Sequence, residues 1–237
     1  MLKFFRKIRQ KLLEENRVTR YLTYALGEIA LVMIGILLAL QVNTWNENRK
    51  ARVFEKEILS LIDQNLQRDS ALLSEELFKA KQAIELTDRL LEQIALKNYS
   101  DSLNFWMGKI ISFERFKSQS SAFEVLKAKG IENITDKELQ LAFISYYDVN
   151  LFEAYQSLDD VEFSFNTDWL PVIKAEFSDF KWMDYCQPVN SKTFFEKPSN
   201  IVLFRIYQDN REGTVRTVES ALLKISEIRS LTKTHLR

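Results

Sequence analysis

The apolar positions of this chain fall into three arrangements, each of which predicts a different kind of helix. From Tyr21 to Val42 they are nearly continuous, YLTYALGEIALVMIGILLALQV, with Glu28 as the one charge. At about 1.5 Å of rise per residue this stretch spans roughly 33 Å, which matches a hydrocarbon core of about 30 Å and predicts a transmembrane helix over 21–45. Its uninterrupted part, Ile29 to Leu40, reaches only about 18 Å, so a full crossing draws Glu28 into the apolar slab. Before it, MLKFFRKIRQKLLEENRVTR places Phe5, Ile8 and Leu12 on one helical face and Lys3, Arg6, Lys7, Arg9 and Lys11 around the rest. Residues 1–20 therefore read as a basic amphipathic segment that lies in a membrane surface, its stripe in the acyl boundary and its cations on anionic headgroups.

Beyond the span the apolar residues become periodic. Trp45 to Leu96 contains neither Pro nor Gly, so the membrane helix is expected to continue outward. Leu73, Leu77, Ala80, Ile84, Thr87, Leu91 and Ile94 alternate by four and three, the seam of a bundle or coiled coil. Asn98 to Ser102 reads as a turn, with Ser100 or Asp101 capping a helix that carries Leu103, Trp106, Met107, Ile110, Ile111 and Phe113. After a polar break at Lys117–Ser121, a short helix over Ala122–Lys129 is closed by Gly130. Thr135 to Glu138 has the form of a capping box with Thr135 as the cap, opening a helix to about Phe165 whose Leu139, Phe143, Tyr146 or Tyr147, Val149 and Phe152 form an aromatic face. Pro171 suits the first turn of a further helix, and Pro188 and Pro198 bracket a stretch expected to be irregular. Val215, Val218, Leu222, Ile225, Ile228 and Leu231 predict a closing helix, kinked or interrupted at Gly213.

Composition selects the fold class. Five glycines and three prolines in 237 residues are too few for the turns of a sandwich or barrel. The expectation is all-α: an N-terminal amphipathic helix, then one transmembrane helix that continues into an elongated helical bundle over 46–237. The formal net charge is zero, so no global field favours nucleic acid. The charge near the span is uneven, however. Lys3, Arg6, Lys7, Arg9, Lys11, Arg17 and Arg20 precede it, against Arg49, Lys50, Arg52 and Lys56 after it. The positive-inside rule then puts the N-terminus in the cytoplasm and makes 46–237 periplasmic, with Tyr21, Tyr24 and Trp45 as interfacial belts. Signal-peptide cleavage fits poorly, because the apolar region is long and Ala39, Leu40, Gln41 is a weak cleavage site.

The segments FFRKIRQKLLEENR and GEIALVMIGILLALQVNTWNENRK, with SAFEVLKAKG and LQLAFISYYD further on, resemble a bacterial family known only as a domain of unknown function. Its members look like single-span inner-membrane proteins of Gram-negative bacteria. The resemblance covers the first fifty residues most strongly. It implies a periplasmic C-terminal domain and transfers no activity.

Candidate chemistry is sparse. One cysteine, Cys186, and one histidine, His235, make neither an internal disulfide nor a Cys/His metal site. The sequence has no phosphate-binding loop, nucleophile elbow, HExxH or CxxC, so no catalytic, cofactor-binding or metal-binding residue is assigned and no enzyme is expected. Asp159, Asp160 and Glu162 could form an acid/base pair but read as a solvated face. Phe143, Tyr146, Tyr147, Phe152 and Tyr155 could line a ligand pocket but read as core. Within the span, turns of about 100° per residue bring Tyr24, Gly35 and Ala39 within roughly 40° of Glu28, a face suited to helix contact. The expected function is that of a structural or interaction component, self-associating or docked to other envelope proteins. The alternatives are a solute-sensing bundle that signals through a membrane partner, or an ion-coupled accessory subunit using Glu28.

Overall fold

A computed structural model describes residues 18–236, which are mostly helical, with strand confined to one two-stranded hairpin. Lys3, Arg6, Lys7, Arg9 and Lys11 lie outside the described residues. Helix α1 runs without a break from Val18 to Ala95. The chain divides into two compact units, Met1–Glu55 and Lys56–Arg237.

In the first unit every large apolar residue from Leu22 to Val42 is more than half exposed. A methyl group added at Gly27 or Gly35 would meet nothing within 4 Å. This is a helix long and apolar enough to cross a membrane.

In the second unit α1 buries a strict heptad. One row is Leu59, Leu66, Leu73, Ala80, Thr87 and Ile94, and the other is Ile62, Asp69, Glu76, Ala83 and Leu90. The first row agrees with the expected seam. The second is displaced by one residue, since Leu77, Ile84 and Leu91 are only half-buried while Glu76, Ala83 and Leu90 are covered. The 3.5-residue repeat of packed helices decides the row, even where it brings in a carboxylate. Helix α1 ends in a Schellman turn. The Asn98 amide donates to the Gln93 carbonyl at 2.9 Å, that of Lys97 donates to Ile94 at 3.0 Å, and Lys97 takes φ 55°.

Helix α2, Ser102–Ile111, has Asp101 at its N-cap position without a side-chain cap bond, and buries Leu103, Met107, Ile110 and Ile111. Helix α3, Ser121–Lys129, is closed by Gly130 at φ 104°, whose amide donates to the Leu126 carbonyl at 2.9 Å. After a 3-10 turn, Ile131–Asn133, comes α4, Lys137–Ile144. Its cap is Asp136 and not the expected Thr135. The Asp136 Oδ1 accepts from the amides of Glu138 at 2.9 Å and Leu139 at 3.2 Å.

A π-helical turn, Ser145–Asn150, joins α4 to α5, Leu151–Ser164, and a second, Phe165–Trp169, joins α5 to α6, Leu170–Glu176. Helical backbone thus passes the expected end at Phe165. Pro171 falls at the start of α6, where the hydrogen-bonding register has just changed and an amide donor is dispensable.

The stretch expected to be irregular is ordered. Strands β1, Phe177–Lys181, and β2, Tyr185–Pro188, pair antiparallel with Phe180 opposite Cys186, and α7, Ser191–Glu196, follows. The hairpin turn lies on α2 at Gly108, where a Cβ would come within 2.4 Å of the Asp184 carbonyl oxygen. Any side chain there would push the hairpin off the helix.

Helix α8, Pro198–His235, is continuous through Gly213, contrary to the expected interruption. It buries Phe204, Tyr207, Arg211, Thr214, Val218, Ala221, Ile225, Ile228 and Thr232, alternating by three and four. Val215, Leu222 and Leu231 of the expected face are half-buried. Three polar pairs fix α8 antiparallel to α1: Arg229 with Asp63 at 2.8 Å, Glu219 with Lys81 at 2.7 Å and Gln208 with Asp88 at 2.7 Å. The core gathers Leu90 of α1, Met107 and Ile110 of α2, Trp169, Phe194 and Phe195 against Phe204 and Tyr207 of α8.

Candidate functional site

In the second unit three charged residues occupy positions in the buried rows of α1 and α8 where an apolar side chain would be expected: Asp69, Glu76 and Arg211. Asp69 is satisfied within the fold. Its carboxylate accepts from the Ser118 hydroxyl, from the Gln119 amide at 2.9 Å and from the Tyr146 hydroxyl at 3.0 Å. Such a closed set ties α1 to the segment before α3 and to the π turn after α4, and leaves nothing to bind a ligand. Burial, and then the Asp69 charge, push the Tyr146 and Tyr147 phenols well above their ordinary range, so both stay neutral.

Glu76 and Arg211 belong to a different kind of site. They border a cleft of about 410 Å³. Glu75, Glu76, Phe78, Lys79 and Gln82 of α1 form one wall, Lys109, Ser112, Phe113 and Glu114 the opposite one, Met183 the hairpin side, and Arg211 is supplied by α8. Arg211 is 4% exposed. Its Nη2 donates to the carbonyls of Ile110, at 3.4 Å, and Ser112, covering the last acceptors of α2. Its guanidinium lies 5.4 Å from the centre of the Tyr207 ring. Its Nε has no hydrogen-bond partner. Burial lowers the pKa of the guanidinium, opposed by Tyr207 and by the charge of Glu76, but an arginine so placed remains a cation.

The carboxylates of the cleft are occupied. Lys79 meets Glu75 at 3.0 Å and Glu76 at 3.2 Å, and also bonds Glu114. Burial works against charge on Lys79, but hydrogen bonds to Glu114 and Glu75 and the charge of Glu76 outweigh it and hold its pKa above the usual lysine value. For Glu76 the balance goes the other way. Burial raises its pKa more than Lys79 lowers it, and Glu114 adds repulsion. Two further polar side chains line the cleft, the Lys109 ammonium, which is exposed, and the half-buried Gln82 amide. Phe78, Phe113 and Met183 add apolar surface. The arrangement can accept an anionic group and cover an apolar one.

Comparison with models of protein families, with curated proteins and with solved structures gave no match to this chain.

The residues singled out by sequence lie elsewhere. Tyr24 and Glu28 border one hollow on α1 with Thr23, Gly27 and Leu31, while Ala39 borders another with Leu38 and Val42. Tyr24 is exposed and Glu28 half-buried. Of the aromatic candidates, Phe143, Tyr146 and Tyr147 are buried, Tyr155 is half-buried and Phe152 is exposed. The three buried ones are core, as in the stack of Tyr147 on Phe123 at 4.0 Å. Glu162 is held by the Arg115 guanidinium at 2.8 Å, with its pKa lowered by that bond, and shares a hollow of about 110 Å³ with Asp159. Asp160 is exposed. Among the described residues no group of three His, Cys, Asp or Glu could hold a metal ion. Cys186 is fully buried, and burial pushes its thiol up to about 12.

Glu76, Lys79, Lys109, Glu114 and Arg211 were not singled out by sequence. One signal for two of them was present: when the rows of α1 and α8 are continued every seventh residue, Glu76 and Arg211 fall on apolar register.

Proposed function

We propose that the chain is a single-pass membrane protein with a cytoplasmic N-terminus, whose helical bundle over 46–237 acts in the periplasm as a structural or interaction component. The observation that carries this reading is the run from Leu22 to Val42, whose large apolar side chains are all more than half exposed while those of the second unit form a core. Exposed apolar surface of that extent calls for lipid or another helix. The resemblance of the first fifty residues to single-span inner-membrane proteins supports the same reading, and anionic headgroups are the fitting surface for Lys3, Arg6, Lys7, Arg9 and Lys11.

Self-association runs along the face of Tyr24, Glu28, Gly35 and Ala39. A carboxyl in hydrocarbon costs a few kcal/mol, a cost that a neighbouring helix lowers, and Gly35 and Ala39 permit close backbone approach. Single cysteines placed at 35, 36, 37 and 39 of the full chain in membranes test the geometry. Cys186 is fully buried and can stay. Disulfide-linked dimers are expected at 35 and 39 and not at 36 or 37. Equal yields around the helix would remove the contact face.

A further inference from the structure

We propose that the cleft between α1, α2 and α8 is a binding site for a small monocarboxylate with an aliphatic or aromatic body, its carboxylate directed to Arg211 and its body to Phe78, Phe113 and Met183. This is a function beyond anchoring and interaction, and it rests on the second unit alone.

Three observations carry it. The first is the hydrogen-bond state of Arg211, 4% exposed, with Nη2 on carbonyl oxygens and Nε without a partner. A buried charged donor left unpaired is costly, and an anionic acceptor from outside the chain removes that cost. The nearest carboxylate acting on Arg211 is Glu76, which is engaged by Lys79. The second is the set of charged groups. Glu75, Glu76 and Glu114 share one lysine, Lys79. Lys109 adds a second cation to the same cleft as Arg211, and that pairing favours an anion. The third is shape. A volume of about 410 Å³ with Phe78, Phe113 and Met183 on its walls is in the range of small-molecule sites and too apolar for a bare inorganic ion.

The same features limit the class of ligand. One arginine with a part of its fork already committed to Ile110 and Ser112 balances one negative charge. The ring of Glu75, Glu76 and Glu114 repels a second, which disfavours phosphate esters and dicarboxylates. Phe113 packs edge-on to Trp182 with ring centres 5.1 Å apart, so a ligand against Phe113 reaches a fluorescent reporter.

The test uses the full chain in lipid nanodiscs, with 3-phenylpropionate as probe and 3-phenylpropionamide as its uncharged counterpart. The acid is expected to raise the unfolding temperature of the helical domain and to change tryptophan emission saturably, and the amide to do neither. Arg211→Met is expected to weaken binding by about tenfold or more, the loss of a charged hydrogen bond. Because Arg211 also covers the end of α2, its variant can lose the fold. Lys109→Ala combined with Phe78→Ala, both at exposed positions, then carries the test and is expected to weaken the acid severalfold with unchanged circular dichroism. Equal response to acid and amide, no saturable response to the acid, or binding unaltered in the double variant would each overturn the proposal. Tighter binding of phenyl phosphate than of the acid would overturn the assigned class.

Discussion

Glu76 and Arg211 show what a single residue does when the packing of a helix, and not its own polarity, decides its position. Both lie on rows that continue every seventh residue through leucine, alanine, phenylalanine and valine. A carboxylate so placed keeps its proton to a higher pH than a solvated one, and the consequence for stability has a definite sign. The pKa of Glu76 is raised from 4.5 in the folded chain. Between 4.5 and the higher folded value the unfolded chain has already released the proton that the folded chain keeps, so this residue makes stability fall as pH rises through that window. Below 4.5 both states hold the proton and the contribution is absent. Glu76→Gln removes the titration while Lys79 keeps Glu75 and Glu114. Urea unfolding of the variant from pH 4 upward is expected to show a gain in stability relative to the parent that grows with pH. A gain that shrinks with pH would show that Glu76 is ionised in the fold and held by Lys79. Sequence reading passed over this residue for a physical reason: a search for apolar periodicity prefers Leu77 to Glu76, although the helix turns 76 inward and leaves 77 on the flank.

At the scale of elements, what was legible is what local chemistry fixes. The helices around Leu103 and Ala122 begin and end within a few residues of where caps and breaks place them, and the one around Leu139 begins there but does not end near Phe165. Where two adjacent residues could each cap, composition does not choose between them. Asp136 has φ −81° and ψ 115°, the extended conformation of a cap, and its carboxylate bonds two free amides of α4. Asp136→Ala is therefore expected to cost about 1 kcal/mol in chemical denaturation, and Thr135→Ala only a few tenths. The reverse order would restore Thr135 as the cap. The hairpin was illegible because its strands are only five and four residues long and begin directly after a helix. Its position depends on Gly108, nearly seventy positions upstream of β1, where the turn lies on α2. The π turns likewise answer to distant partners. Ser145–Asn150 brings Tyr146 onto Asp69, a bond across 77 positions of sequence.

For the molecule as a whole, the apolar residues serve two solvents. The large apolar side chains from Leu22 to Val42 are each more than half exposed, while those from Ile58 onward on α1 are matched by α2, α5 and α8. The span could be read from composition because a membrane demands apolarity all round a helix, whereas a core demands it on one stripe only. The compact unit begins at Lys56, just before the first covered apolar residues Ile58 and Leu59. Its polar cross-links, Asp63 to Arg229, Lys81 to Glu219 and Asp88 to Gln208, are all internal to it. A fragment of residues 56–237 is therefore expected to be soluble without detergent, to give a helix-dominated circular dichroism spectrum and to unfold in one cooperative step. Removing residues 22–42 takes away the exposed apolar run. Gel filtration of the fragment distinguishes the outcomes. A discrete folded species places the whole fold of the second unit in its own residues. A helical but aggregated product would show that part of its surface is normally covered by a partner, and a largely unfolded one would mean that α1 needs its membrane part to hold the seam from Leu59 to Ile94 in register.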